Sequence, residues 1–153
     1  MAGRCILGVD PGSSGAIAFF WPDSPSVVAA EDVPTVGGAL DPVTLAAKLR
    51  LMQPAAAIVE QVSAMPKQGV SSTFKFGMAY GQAIGVIAAL SIPMHLAAPG
   101  RWKKHFRLSA DKEEARALAL RFWPGQGLFE RKKDHGRAEA ALIARFGVET
   151  GLV

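Results

Sequence analysis

The sequence has one cysteine, Cys5, in 153 residues. A single cysteine excludes an internal disulfide framework and points to a reducing compartment. Cys5 sits in an apolar run with no histidine near it, so it reads as a buried strand residue and not as a nucleophile. Long hydrophobic runs are also missing. No stretch approaches about 18 uninterrupted apolar residues, so no membrane span is expected. The start of the chain, one arginine and then a short apolar run reaching Asp10, lacks the form of a secretion signal. The expectation is a cytoplasmic protein, bacterial or phage-encoded, with a mature organellar form as the alternative. Internal repeats and low-complexity tracts are absent too.

What is present is half hydrophobic and one-fifth charged, the balance of a globular chain. The length suits a single domain over residues 1–153. Charge is unevenly spread. Residues 1–100 carry five Lys/Arg and six Asp/Glu, whereas residues 101–137 carry eleven and five. A neutral front and a basic back suggest one surface that faces a polyanion, or else a set of solvated helix faces.

Ile6–Val9 and Ala16–Trp21 read as two strands joined by a Gly/Ser/Pro turn, and Val27–Val33 as a third. Asp41-Pro42 is a helix start, with Leu45, Leu49 and Met52 on one face. Ala55–Val59 reads as a buried strand ending at Glu60, and Ser63–Gly69 as a loop. Ser72–Leu90 is the longest helical stretch, with Gly77, Gly81 and Gly85 spaced by four. Glycines cost a helix roughly 1 kcal/mol each against alanine, so a close backbone neighbour is expected there, either the sheet or a second subunit. A strand at Pro93–Ala97, a short helix at Pro99–Phe106 and a helix capped by Ser109 or Asp111 follow. The final helix is expected from about Asp134 to Phe146, with Gly147 as its stop. The order β-β-β-α-β-α-β-α-α predicts an α/β fold, a mixed sheet with helices on its faces.

Three acids occupy unusual places. Asp10 and Glu60 each follow an apolar strand, and Glu139 interrupts an apolar helix face. Such acids are costly to bury unless paired or holding a metal. Adjacent strands could bring Asp10 and Glu60 together, and the last helix could carry Glu139 over their ends. Hard oxygen ligands of this kind suit Mg²⁺ or Mn²⁺. Two ions about 4 Å apart would serve phosphodiester cleavage. His135 lies one helical turn before Glu139 and could be a ligand or assist an attacking water. Asp134 is a weaker metal candidate and reads first as an N-cap.

The residues Ile6-Leu7-Gly8-Val9-Asp10-Pro11-Gly12 with Gly15-Ala16-Ile17-Ala18 resemble the first motif of RuvC-type Holliday junction resolvases. Ala57-Ile58-Val59-Glu60-Gln61-Val62 is similar to their second, and Tyr80-Gly81-Gln82-Ala83-Ile84-Gly85 to the helix that follows. Lys133-Asp134-His135-Gly136-Arg137-Ala138-Glu139-Ala140 resembles the closing motif, in the form found in phage-type and chloroplast resolvases. The resemblance spans about residues 4–146 with the motifs in order. It implies a ribonuclease H-like fold with a mixed five-stranded sheet. It implies a homodimer with two active sites, and paired Mg²⁺-dependent nicks in a four-way DNA junction that leave 5′-phosphate and 3′-hydroxyl ends. It places Asp10, Glu60, His135 and Glu139 in the metal site, and the helix around Gly77–Gly85 at or near the dimer interface.

Two departures stand out. Many family members close with two acids three residues apart, where this chain has Gly136, so His135 or Asp134 must supply the fourth position. Many also carry an aromatic three residues after the second acid for junction stacking, where this chain has Ser63; Met65, Pro66 or Phe74 are the substitutes at hand. Phosphate contacts are expected from Lys67, Lys75, Arg101, Lys103, Lys104, Lys132, Lys133 and Arg137. Lys112 and Arg116 read as helix-surface charges, and Trp102 as a core anchor in preference to a stacking platform. The Gly8–Gly15 loop also resembles the phosphate loop of actin-like ATPases, but the chain has no room for their second lobe. A non-catalytic junction-binding module, and a nuclease of the same fold acting on RNA–DNA hybrids or other branched DNA, are the other rivals.

Overall fold

A computed structural model describes residues 3–153. The two strands at the start, β1 (Ile6–Asp10) and β2 (Ala16–Phe20), are buried almost throughout. Both faces of the sheet are covered there, which is why their sequences are apolar runs and not alternating ones. They pair antiparallel, with Ile6 opposite Phe20 and Asp10 opposite Ala16. β3 (Val28–Asp32) continues the meander on the far side of β2. A small hairpin of β4 (Thr35–Val36) and β5 (Ala39–Leu40) comes next. The sequence reading missed it, because two-residue strands carry no periodicity. Its turn is Gly37-Gly38, both at positive φ, as a tight mirror-image turn requires.

Helix α1 (Pro42–Met52) starts where expected: Asp41 accepts hydrogen bonds from the backbone N–H groups of Val43 and Thr44. β6 (Ala56–Glu60) then returns parallel to β1, and β7 (Met94–Ala97) lies parallel to β6 after the long helix α2 (Val70–Ala89). The sheet order is β3-β2-β1-β6-β7, the expected mixed five-stranded sheet. α3 (Pro99–His105), α4 (Lys112–Phe122), a 3₁₀ turn (Lys132–Asp134) and α5 (His135–Glu149) complete the chain.

Alternate residues of each strand feed two cores. Leu7, Val9, Ile17, Phe19 and Val59 pack on Leu45 and Leu49 of α1 and on Ala79, Ala83 and Ile87 of α2. Ile6, Ala18, Phe20 and Ile58 face the other way, toward Leu142, Ile143 and Phe146 of α5 with Trp102, Trp123 and Phe129 around them. α5 lies very close on the sheet. A Cβ on Gly8 would stand 2.0 Å from the Ala140 carbonyl oxygen and 2.8 Å from the Ala144 nitrogen. The sequence expectation that Gly147 ends this helix is corrected. α5 runs on to Glu149, and Gly147 lies inside it because a Cβ there would come within 2.5 Å of Ile58. Gly151, at φ 73°, follows the true end.

Candidate metal centre and its cleft

β1 and β6 run parallel with Val9 beside Val59, so their last residues, Asp10 and Glu60, leave the sheet side by side. Ligand sites in sheets of this type form at the carboxyl ends of the strands. α5 lays Glu139 over the same place, only 7% exposed. Glu60 is fixed by the indole of Trp102, whose Nε1–H donates to its Oε2 at 2.8 Å. Trp102 is fully buried. It is the core anchor the sequence suggests, and it also holds one of the acids.

Burial raises all three carboxyls. Burial and then the charges of Glu139 and Glu60 push Asp10 well above the usual carboxylate range. Glu60 is raised by burial and by Glu139, against the pull of its Trp102 hydrogen bond. Glu139 is raised by burial, and the neighbouring Asp10 pulls it back in part. Lys103 and Lys112 oppose the rise in all three.

His135 opens α5 and lines the same cleft as Asp10. Its imidazole is held below its ordinary pKa by burial and by Lys112, so it is neutral at physiological pH. Its Nδ1 is buried and has no hydrogen-bond partner among the described residues. A Cβ on Gly136 would lie 3.2 Å from Asp10 Oδ2, so the backbone of α5 comes close to the acid there.

Asp134 is turned elsewhere. It does not cap α5; its buried carboxylate accepts from the Arg131 backbone N–H at 2.9 Å and from the Arg131 guanidinium at 2.8 Å. Arg137 stands 3.8 Å away on its other side. Burial works against the charge, but the Arg131 bonds hold the Asp134 carboxyl below its ordinary value. Arg137, expected on phosphate, also binds Asp32 at the end of β3 at 2.9 Å. These pairs clamp the entry of α5, the turn that presents His135. Arg131→Gln should lower the melting temperature, since the Asp134 carboxylate loses its guanidinium partner and keeps only the Arg131 backbone N–H and the more distant Arg137. Asp134 has a depressed folded pKa, so this stabilisation is present above the unfolded carboxylate range and lost as pH falls through the folded value. The difference in melting temperature between wild type and variant should therefore be full at pH 7 and shrink in acid.

A cleft of about 590 Å³ opens beside Asp10. The Pro11–Gly15 turn forms one wall, and Ser71, Ser72, Lys75 and Phe76 of α2 form the other, with Lys112 and His135 closing it. Lys75 is thus where the sequence reading puts it. Lys112, read from sequence as a helix-surface charge, opens α4 and also lines this cleft, where only the fold brings that helix end. Lys103 is half-buried beside Trp102 and near the acids, whereas Lys67, Arg101, Lys104, Lys132 and Lys133 are exposed. Met65, Val70 and Phe74 are exposed apolar side chains on the loop and first turns of α2, at 67%, 89% and 70% exposure. Further along α2 the glycine stripe faces outward. A Cβ on Gly77, Gly81 or Gly85 would meet nothing within 4 Å, so the sheet is not the close neighbour that their spacing implies.

Among the described residues no three Asp, Glu, His or Cys side chains converge on a point that could hold a metal ion as they stand. The donor chemistry nevertheless suits a hard divalent cation: three carboxyls, one buried and two half-buried, all raised by burial, beside a neutral imidazole with an unpartnered ring nitrogen. Side-chain rotations would have to close the cage. No helix among the described residues is long and apolar enough to cross a membrane.

No protein-family profile and no curated protein sequence matches the chain. Solved structures do. RuvC of T. thermophilus in complex with a Holliday junction substrate superposes with a TM-score of 0.69 at 17% identity, over 97% of this chain and 96% of that one. The fowlpox virus Holliday junction resolvase gives 0.58 at 15% identity, over 98% and 100%. The yeast mitochondrial Holliday junction resolvase gives 0.54 at 16% identity, over 94% and 78%. Sheet order, the strand-end position of two acids and the helix that carries the third thus all sit in one architecture, and the chain has the ribonuclease H-like fold as RuvC-type resolvases build it.

Proposed function

We propose that this chain is a metal-dependent endonuclease that resolves four-way DNA junctions by paired phosphodiester hydrolysis, leaving 5′-phosphate and 3′-hydroxyl ends. The observation that carries the reading is that Asp10, Glu60 and Glu139, from three separate elements, feel one another electrostatically, with Asp10 in the wall of a cleft that also holds Lys75 and Lys112. Asp10, Glu60, Glu139 and His135 would hold Mg²⁺ or Mn²⁺, with room in the donor set for two ions. Asp134 is spoken for by Arg131. Bound metal supplies charge stabilisation and a more acidic water. The chain's own groups do the rest. Lys75 and Lys112 draw the phosphate into the cleft, and neutral His135 offers a lone pair to a metal or to the proton of an attacking water. Phe74, exposed on the helix that forms one wall of the cleft, and Met65, exposed on the loop before it, are apolar side chains that could stack in the open centre of a junction. Paired nicks need two copies, and the bare face of α2 along Gly77, Gly81 and Gly85 is the surface on which a second copy can approach closely.

The test is incubation with a labelled immobile four-way junction, with and without Mg²⁺ or Mn²⁺, beside Glu139→Gln. Duplex and an RNA–DNA hybrid serve as controls. Symmetric nicks confined to the junction, dependent on metal and absent from a variant that still binds, are expected. A cut hybrid beside an intact junction would keep the chemistry and move the substrate. Tight junction binding with no cut of any kind would leave a non-catalytic binding module.

Lys112→Gln should lower the single-turnover rate about tenfold or more, because a cation aimed at the developing phosphate charge is lost from a partly enclosed cleft. The slope of binding against salt should fall by about one contact. An unchanged rate would return Lys112 to the solvated surface of α4.

A further inference from the structure

β6 and β7 pair so that Glu60 lies opposite Ala97. The chain then turns into α3 through Ala98-Pro99, and the first turn of that helix brings Trp102 to the end of β6. The indole is wholly buried, and its Nε1–H donates to Glu60 Oε2 at 2.8 Å. A buried indole N–H is costly without an acceptor, so Trp102 and Glu60 hold each other in place. Lys103 Nζ stands 5.5 Å from the centre of the same ring. A cation on the ring face draws electron density toward itself and makes the N–H a better donor. α3 is also keyed to α5. Arg101 lies 5.6 Å over the Phe146 ring, and the His105 ring packs edge-on to it at 5.5 Å. The helix that holds Glu60 thus rests on the helix that carries Glu139.

What the bond does to Glu60 is restrict it. A glutamate side chain is long and flexible, and it can offer a cation one carboxyl oxygen or both. Here Oε2 is committed to the indole, which leaves Oε1 for a ligand. Mg²⁺ demands short bonds in strict octahedral geometry, whereas Ca²⁺ is larger and takes a carboxylate through one oxygen or both. A fixed carboxyl with one open oxygen therefore favours the smaller ion, and a freed carboxyl relaxes the choice. Groups that orient a metal ligand matter greatly: losing one typically costs about 10–100-fold in metal affinity or activity.

We propose that Trp102 is a positioning residue for Glu60: its indole N–H holds one carboxyl oxygen, leaves the other for the metal, and sets a preference for Mg²⁺ or Mn²⁺ over Ca²⁺. The proposal rests on the metal-site reading above, and it gives a residue of the hydrophobic core a part in that site's choice of ion.

The test replaces Trp102 in the full chain with 3-benzothienylalanine, which keeps the fused rings and puts sulfur where the N–H was. Trp102→Phe, which also lacks the donor, is the second variant. Affinity for Mn²⁺, Mg²⁺ and Ca²⁺ is read by calorimetry without DNA, and junction nicking is read separately. Loss of the N–H should weaken Mn²⁺ binding about tenfold or more and leave Ca²⁺ little changed, so the ratio of the two affinities narrows. A merely structural tryptophan would lower the melting temperature and leave that ratio alone. In the unaltered chain, the Trp102 indole N–H resonance should move when Mg²⁺ binds, and Glu60→Gln should move it with no metal present. This measurement needs no Trp102 variant to fold. A chain without the N–H that keeps the wild-type ion ratio would overturn the proposal, as would an indole resonance that stays still on metal binding. A narrowed ratio with no nicking of any substrate would sink the nuclease reading and leave the positioning role; nicking with an unchanged ratio would do the reverse. A wild type that binds no divalent ion would remove both.

Discussion

Asp10→Asn should abolish nicking, by at least about a thousandfold, and should also raise the melting temperature of the metal-free protein. The first effect follows from the position of Asp10 at the centre of the acid cluster, between Glu139 and Glu60; groups that act as a unit lose most of their effect when one is removed. The second follows from what the cluster costs. Burial and two neighbouring acids raise the Asp10 carboxyl, so in the folded, metal-free chain its charged form is disfavoured. A raised folded pKa contributes stability that is full below the unfolded carboxylate range and lost as pH rises through the folded value. Metal-free wild type should therefore melt lower at pH 8 than at pH 5 through this cluster, and Asp10→Asn should flatten that dependence. A gain of a few degrees at pH 8 is expected, at about 2–4 °C per kcal/mol for a chain of this size. Divalent metal should raise the melting temperature of wild type and do so far less in the variant. Calorimetry at the two pH values, with and without Mg²⁺, checks all of this. A variant that melts lower than wild type at pH 8 would show that the Asp10 carboxylate stabilises the fold and is not strained within it.

Gly8→Ala should be among the most damaging small substitutions in the chain. The added methyl would overlap the Ala140 carbonyl oxygen and crowd Ala144, all on α5. The atoms in the way are helix backbone, so no rotamer relieves the clash and the helix must lift from the sheet. Overpacking of ordinary cores costs about 1–3 kcal/mol, and a backbone clash at the centre of the sheet belongs at or above the top of that range. A fall of about 6–12 °C or more in melting temperature is expected. Activity should fall even where the chain remains folded, because the displaced helix carries both Glu139 and His135. Thermal melting and the junction assay together separate the two effects. A melting temperature within a degree of wild type would mean that α5 does not sit as close to β1 as Ala140 and Gly8 place it.

Much of the architecture was legible because its signals are local. Asp41-Pro42 caps a helix whatever surrounds it, and the unbroken apolar runs of β1, β2 and β6 follow from burial on both faces. The acids were legible for the same reason: Asp10, Glu60 and Glu139 stand out against apolar neighbours, and the fold brings these three to one place. What escaped the sequence depends on the third dimension. Nothing in Asp111-Lys112-Glu113 separates a cleft lysine from a solvated one. His135 and Asp134 are adjacent in sequence, and only the 3₁₀ turn sends one to the cleft and the other to Arg131. Arg137 reads as a free cation until Asp32, more than a hundred residues away, closes on it. Gly147 carries the look of a helix stop, but it is small because Ile58 lies against it. The glycine spacing in α2 leads to an expected close neighbour, but the fold leaves that face bare, since periodicity cannot say what a helix face packs against.

The order of assembly along the chain has a biological consequence. Polypeptides emerge from the ribosome amino end first, and the early part of a chain can begin to fold before the rest exists. Here Asp10 and Glu60 are made early, while His135 and Glu139 arrive on the helix that comes last in the sequence and covers a whole face of the sheet. A partly synthesised chain thus has an exposed apolar sheet face and only two of the four proposed ligands until α5 docks. For a protein whose proposed work is cutting DNA, translation itself would act as the safety catch.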